Sequence, residues 1–138
     1  LKNLKESQLS DTISLEDKKQ ARHATIRVVL LPRDTNAFGT IFGGVILSHI
    51  DLAGAVEARR HTSNRVVTVA MKEVIFKEPV FVGEVVSFYA HVIKTGNTSI
   101  TVKVEVESER RGKQVAVTQA ELTFVSIGED GKPTPLKS

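Results

Sequence analysis

No cysteine occurs anywhere in the 138 residues. Disulfides and thiolate-bound metals are therefore excluded, and a reducing cytoplasm is the expected compartment. Tryptophan is absent and tyrosine occurs once, so there is little with which to stack on unpaired bases, and nucleic acid is not an expected partner. No apolar run approaches the roughly 20 residues that span a bilayer, and the N-terminus has no signal-peptide pattern, so no membrane partner is expected either. The histidines at positions 23, 49, 61 and 91 lack metal-ligand spacing and no acid cluster accompanies them, so no metal is expected.

What is present fits one globular domain with a real core: 41% of residues are apolar and 25% charged. A net charge of +3 and a pI near 9.3 admit an anionic partner. The basic residues do not gather on one element, which suits a phosphate-rich small molecule better than a nucleic acid.

Residues 1–22 are polar and read as a flexible or loosely helical arm before a domain at 23–138. Order is expected from Thr25 to Leu31, a strand closed by Pro32, followed by a loop over Arg33–Thr40 rich in turn formers. Gly43-Gly44 then opens a helix that runs from Val45 to about His61 without a proline. Its apolar residues cover most of its circumference, which predicts a buried helix. Four strands follow, at Arg65–Phe76, Glu84–Ile93, Ser99–Glu107 and Val115–Ile127, with a turn at Arg110–Lys113. Ile100, Val102, Val104 and Val106 alternate with polar neighbours at period two. The order predicts an α+β fold, an antiparallel sheet curled around one long helix, with its consecutive strands joined by short turns. One helix cannot cover the whole sheet, so pairing between subunits is expected.

Asp51 is the residue hardest to place by packing alone. It lies mid-helix among apolar neighbours, and Leu47, Ser48, Gly54 and Ala55 on adjacent turns supply no cation. A carboxylate there is costly unless it is bonded or faces a wet cleft. It is either held by backbone or another subunit, or it is a general base or nucleophile. Phe42-Gly43-Gly44 is the second feature. Helix-start N–H groups have no internal acceptor and would suit a developing oxyanion, although a plain loop-to-helix junction looks the same. Ser48, His49 and Asp51 do not form a triad: at 100° per residue His49 points about 200° from Asp51 and reads as a core or interface histidine.

Leu31-Pro32-Arg33-Asp34-Thr35-Asn36, Gly39-Thr40-Ile41-Phe42-Gly43-Gly44 and Ser48-His49-Ile50-Asp51 with Gly54-Ala55 together resemble the acyl-CoA hydrolase branch of the hotdog superfamily. The likeness continues through Val66-Val67-Thr68-Val69, Phe76-Lys77-Glu78-Pro79-Val80, Val82-Gly83-Glu84 and Gly96-Asn97-Thr98-Ser99, covering about residues 25–135. It implies a hotdog fold, a helix wrapped by antiparallel sheet, paired into a dimer with one continuous sheet and commonly assembled as a trimer of dimers. It implies hydrolysis of acyl-CoA thioesters, with coenzyme A as part of the substrate and no separate cofactor. The family's helix acid, as base or nucleophile, falls on Asp51, and its loop asparagine, from the opposite subunit, on Asn36. The oxyanion donor falls on the Gly44 N–H, and Thr40, Phe42 and Gly43 are candidates for substrate contact. Many relatives carry Asn or Asp where this chain has Thr40, whose hydroxyl can still donate to water or substrate. Arg65, Lys77 and the Arg110-Arg111-Lys113 turn are candidates for the coenzyme A phosphates, each with a solvated surface charge as its plainer role. Two rivals stand beside this reading. A non-catalytic acyl-CoA sensor would have no need of Asp51, and a hotdog dehydratase would need a histidine at the loop, where none occurs.

Overall fold

The computed structural model describes residues 22–136; apart from Arg22, the arm expected at 1–22 lies outside them. Among the described residues, β1 (Ile26–Val29) comes first, followed by a 3-10 turn at Pro32–Asp34 and an α-helix, α1 (Gly43–Ala58). A second 3-10 turn, Arg59–His61, leads into β2 (Arg65–Phe76), β3 (Val85–Thr95), β4 (Ser99–Arg110) and β5 (Lys113–Ile127). All pairings are antiparallel, so the expected α+β arrangement is the one observed.

The core forms where the two periodicities meet. Ile46, Ile50, Ala53 and Ala58 recur at helical spacing on α1, and Ile100, Val102, Val104 and Val106 recur at period two on β4. Phe88 and Phe124 are the largest fully buried side chains between them, and burial of each contributes about 2–3 kcal/mol. A Cβ at Gly54 would stand 3.0 Å from the Phe124 ring, so glycine is what lets α1 settle this closely on the sheet.

Two expectations are corrected. The helix is not buried all round within one subunit: Leu52 and Val56 are 56% and 46% exposed, because the sheet covers only one face. It also ends at Ala58 and tightens into the 3-10 turn, where three consecutive basic residues begin. Secondly, of the last four strands only β3, β4 and β5 are neighbours in sequence order. The sheet runs β1-β3-β4-β5-β2, so β2 crosses to the far edge and pairs with β5 rather than β3.

A strap, residues 77–84, returns the chain from that edge to β3. Its attachment depends on a bulge in β5. Val106 faces Thr118 and Glu107 faces Ala116, so Val117 is the extra residue. The Val117 carbonyl accepts the N–H groups of Lys77 (2.7 Å) and Glu78 (3.4 Å). Among the described residues the outer edge of β2 has no partner strand, and Val67, Val69, Ile75 and Phe76 are exposed along the strand. A long apolar edge of this kind is a template for pairing with another chain.

Candidate active site

The predicted site residues fall into two groups within one subunit. The first is built by the loop before α1. Asn36 is locked there as an Asx turn: its Oδ1 accepts from the N–H of Phe38 (2.8 Å) and of Thr40 (3.2 Å). Its Nδ2 donates to the Thr40 hydroxyl at 2.9 Å, leaving one amide proton for another acceptor. The Thr40 hydroxyl, having accepted that bond, keeps its own proton to donate. Ile41 N–H bonds Val80 of the strap and Phe42 N–H bonds Asp34, which fixes where the helix starts.

Phe42 caps α1 in an extended conformation, and its carbonyl accepts from Val45 N–H at 2.9 Å. Gly44 follows at the second helical position, where an N–H has no acceptor inside the helix. A Cβ on Gly44 would lie 2.6 Å from the Phe42 ring, so the ring folds over the space that glycine leaves open. Beside Gly43 is a cavity of about 270 Å³ lined by Ile41, Ile46, Phe76 and the strap residues 77–80. Lys77 is on its wall, with Nζ 3.4 Å from the Gln119 side-chain carbonyl.

The second group lies two turns further along α1. Asp51 is half-buried, and its Oδ1 accepts a 2.6 Å hydrogen bond from the Thr68 hydroxyl of β2. Among the described residues the carboxylate is therefore held by a side chain rather than by backbone, and its Oδ2 accepts no hydrogen bond. Thr68 sits where β2 loses register: it faces Phe124, while Ala70, two residues on, faces Thr123. The bulge at Val69 turns the strand beside the acid, a common position for bulges near active sites. Sequence reasoning did not single out Thr68, since one threonine in a Val/Thr-rich strand carries no local signal.

Asn36 and Asp51 share no hydrogen bond within the subunit. His49 keeps apart from both, its Nδ1 donating to the Val45 carbonyl at 2.9 Å and its ring stacking on Phe88 at 5.6 Å between centroids. Arg65 lies beyond the C-terminal end of α1, in a polar pocket of about 650 Å³ shared with Arg59 and Asn64. Arg111 is exposed in the β4–β5 turn.

Arg110, a candidate phosphate ligand by sequence, is already occupied. Its Nε donates to Glu84 Oε2 at 2.6 Å, its Nη2 donates to the Pro79 carbonyl at 2.6 Å, and its guanidinium lies over the Phe81 ring. Burial pushes the Glu84 carboxyl up, but hydrogen bonds from Arg110, the Phe81 N–H and Ser108 outweigh it and hold the group below its usual range. The bond to Glu84 raises Arg110 in turn. Among the described residues no cluster of His, Asp or Glu could hold a metal ion, and no helix is long and apolar enough to cross a membrane.

The family model for the thioesterase superfamily matches residues 38–116. An acyl-CoA thioester hydrolase, YciA, of Salmonella typhimurium is 42% identical over 116 residues, which cover 80% of this chain and 87% of that protein. The solved structure of a hexameric hotdog-fold thioesterase of Campylobacter jejuni matches with a TM-score of 0.78 at 48% identity, over 83% of this chain and 90% of that one. A hexameric thioesterase of Yersinia pestis matches with a TM-score of 0.80 at 41% identity, over 86% of this chain and 98% of that one.

Proposed function

Since the chain belongs to the thioesterase superfamily, we infer that it hydrolyses acyl-CoA thioesters to the free acid and coenzyme A. It does so on the hotdog fold, as a homodimer that assembles further into a hexamer like its structural neighbours. We place this activity in the cytoplasm; with no cysteine, the fold has no need of an oxidising compartment.

The catalytic roles follow from the spacing of the two groups. Asp51 lies seven positions after Gly44 on one helix, a rise of about 10 Å. The two groups stand apart on the helix and share no hydrogen bond within the subunit, so we assign each site the Asn36–Gly44 group of one subunit and the Asp51–Thr68 group of its partner. The unpaired edge of β2, which carries Thr68, is the surface that brings the groups together.

Asp51 acts as general base. Water bound between its open Oδ2 and the spare amide proton of Asn36 gives a proton to the carboxylate and attacks the thioester carbonyl. The new oxyanion is received by the Gly44 N–H, where the helix dipole favours negative charge. Collapse breaks the carbon–sulfur bond, and the proton on Asp51 passes to the departing thiolate, giving acid and free thiol. Thr40, Phe42 and Gly43 line the approach to the carbonyl. Arg65, Lys77 and Arg111 are the cations left for the coenzyme A phosphates, and neither Arg65 nor Arg111 has a carboxylate within ion-pair distance among the described residues.

The observation that carries this reading is the 2.6 Å bond from Thr68 to Asp51, which turns a carboxylate on an apolar helix into an oriented one. Thr68→Val keeps the side chain's shape and removes the donor. It should lower kcat about tenfold with little change in KM, the worth of one hydrogen bond to a charged group. An unchanged kcat would show that Asp51 needs no orientation from β2. The activity itself is tested with coenzyme A esters from acetyl to palmitoyl, following thiol release colorimetrically. Release matched mole for mole by free acid is expected; no release from any ester would refute the assignment.

A further inference from the structure

The Glu84–Arg110 pair is among the most heavily bonded side-chain clusters of the subunit, yet no step of the reaction uses it. Glu84 Oε1 accepts from the Phe81 N–H (3.0 Å) and the Ser108 hydroxyl (2.9 Å), while Oε2 takes Arg110 Nε. Arg110 reaches past it to the Pro79 carbonyl and covers the Phe81 ring, 4.9 Å from its centroid. The strap is thus gripped at a carbonyl, an N–H and a ring within three residues. We propose that this pair is a positioning device for Asn36, acting through the strap and Thr40; the inference rests on the reading of Asn36 given above.

The path is continuous. Phe81 forms a β-bridge with Thr40, and Val80 accepts the Ile41 N–H at 2.8 Å. Thr40 in turn holds Asn36 at three points: its carbonyl accepts Asn36 N–H (2.8 Å), its hydroxyl accepts Asn36 Nδ2 (2.9 Å), and its N–H donates to Asn36 Oδ1 (3.2 Å). Where Thr40 sits decides where Asn36 points. Thr40 sits against Phe81, and Phe81 is what the pair clamps. Both members are largely shielded, with side chains 12% and 26% exposed, so the pair is screened less than a surface ion pair. Arginine suits the task because its planar fork spans a carboxylate and a carbonyl at once, which an ammonium cannot do.

A clamp that works through Asn36 has a signature that a mere staple lacks. Arg110→Gln should lower kcat about tenfold, since a small misplacement far from the chemistry is costly. In an Asn36→Ala background the same change should cost less than about twofold, because the group it positions is gone. The loss should be equal for acyl-CoA and for the same acyl group on pantetheine, which has no phosphates. Arg110→Lys, which keeps the charge but not the fork, should fall between, and serves if the glutamine variant does not fold. A full tenfold loss in both backgrounds would overturn the inference and leave the role of Asn36 standing. So would a loss confined to KM for acyl-CoA, which would make Arg110 a phosphate ligand. If Asn36→Ala alone keeps its activity, the reading of Asn36 fails and the clamp falls with it.

Discussion

Asp51→Asn should leave a folded, assembled protein that turns over acyl-CoA at least about a hundredfold more slowly. Asparagine is nearly isosteric with aspartate, and its side-chain oxygen can still accept the Thr68 hydroxyl bond seen at 2.6 Å. What it cannot do is take a proton from water. The half-buried position gives no new cavity and no stranded charge, so the melting temperature should stay within a few degrees of the parent. The loss should appear in kcat for every acyl chain length, since in the proposed mechanism Asp51 acts on water rather than on the acyl group. A variant that melts normally and keeps most of its turnover would mean that another group activates the water.

The parts of this fold that were legible in the sequence are those written locally. Period two along Ile100–Val106 marks β4, a Val- and Thr-rich run marks β2, and an uninterrupted run of good helix formers marks α1. Asp51 stood out for the same reason: a carboxylate amid apolar neighbours contradicts its surroundings. What was not legible depends on residues far apart in the chain. The far-edge position of β2 is set by its pairing with β5, some fifty residues on, and by a bulge at Val117 whose carbonyl anchors the strap. Thr68 becomes meaningful only when the Val69 bulge places its hydroxyl against Asp51. Arg110 lies in a run of charge at a turn, which reads as solvated until Glu84, 26 positions away, closes on it. The apolar residues Leu52 and Val56 read as core because a sequence shows that they are apolar, and not whether their cover comes from the same chain or another.

The central claim is that each active site is assembled from Asn36 and Gly44 of one subunit with Asp51 and Thr68 of its partner. Asn36→Ala and Asp51→Ala should each be nearly inactive as pure homodimers, since every site then carries a lesion. Co-expression of the two variants changes this. In a mixed dimer one site collects both lesions and the other collects neither, pairing the intact Asn36 of one chain with the intact Asp51 of the other. Random pairing makes about half the dimers mixed, each with one good site in two, so activity should return to about a quarter of the parent level. Assembly into hexamers leaves this fraction unchanged, because the sites belong to the dimers. The chains must be mixed during synthesis, since an obligate dimer does not exchange subunits readily once folded. Recovery to about a quarter, with mixed dimers verified by mass spectrometry of differently tagged chains, is the predicted result. Mixed dimers as inactive as either parent would contradict it, because a site contained within one chain would carry one lesion in every copy.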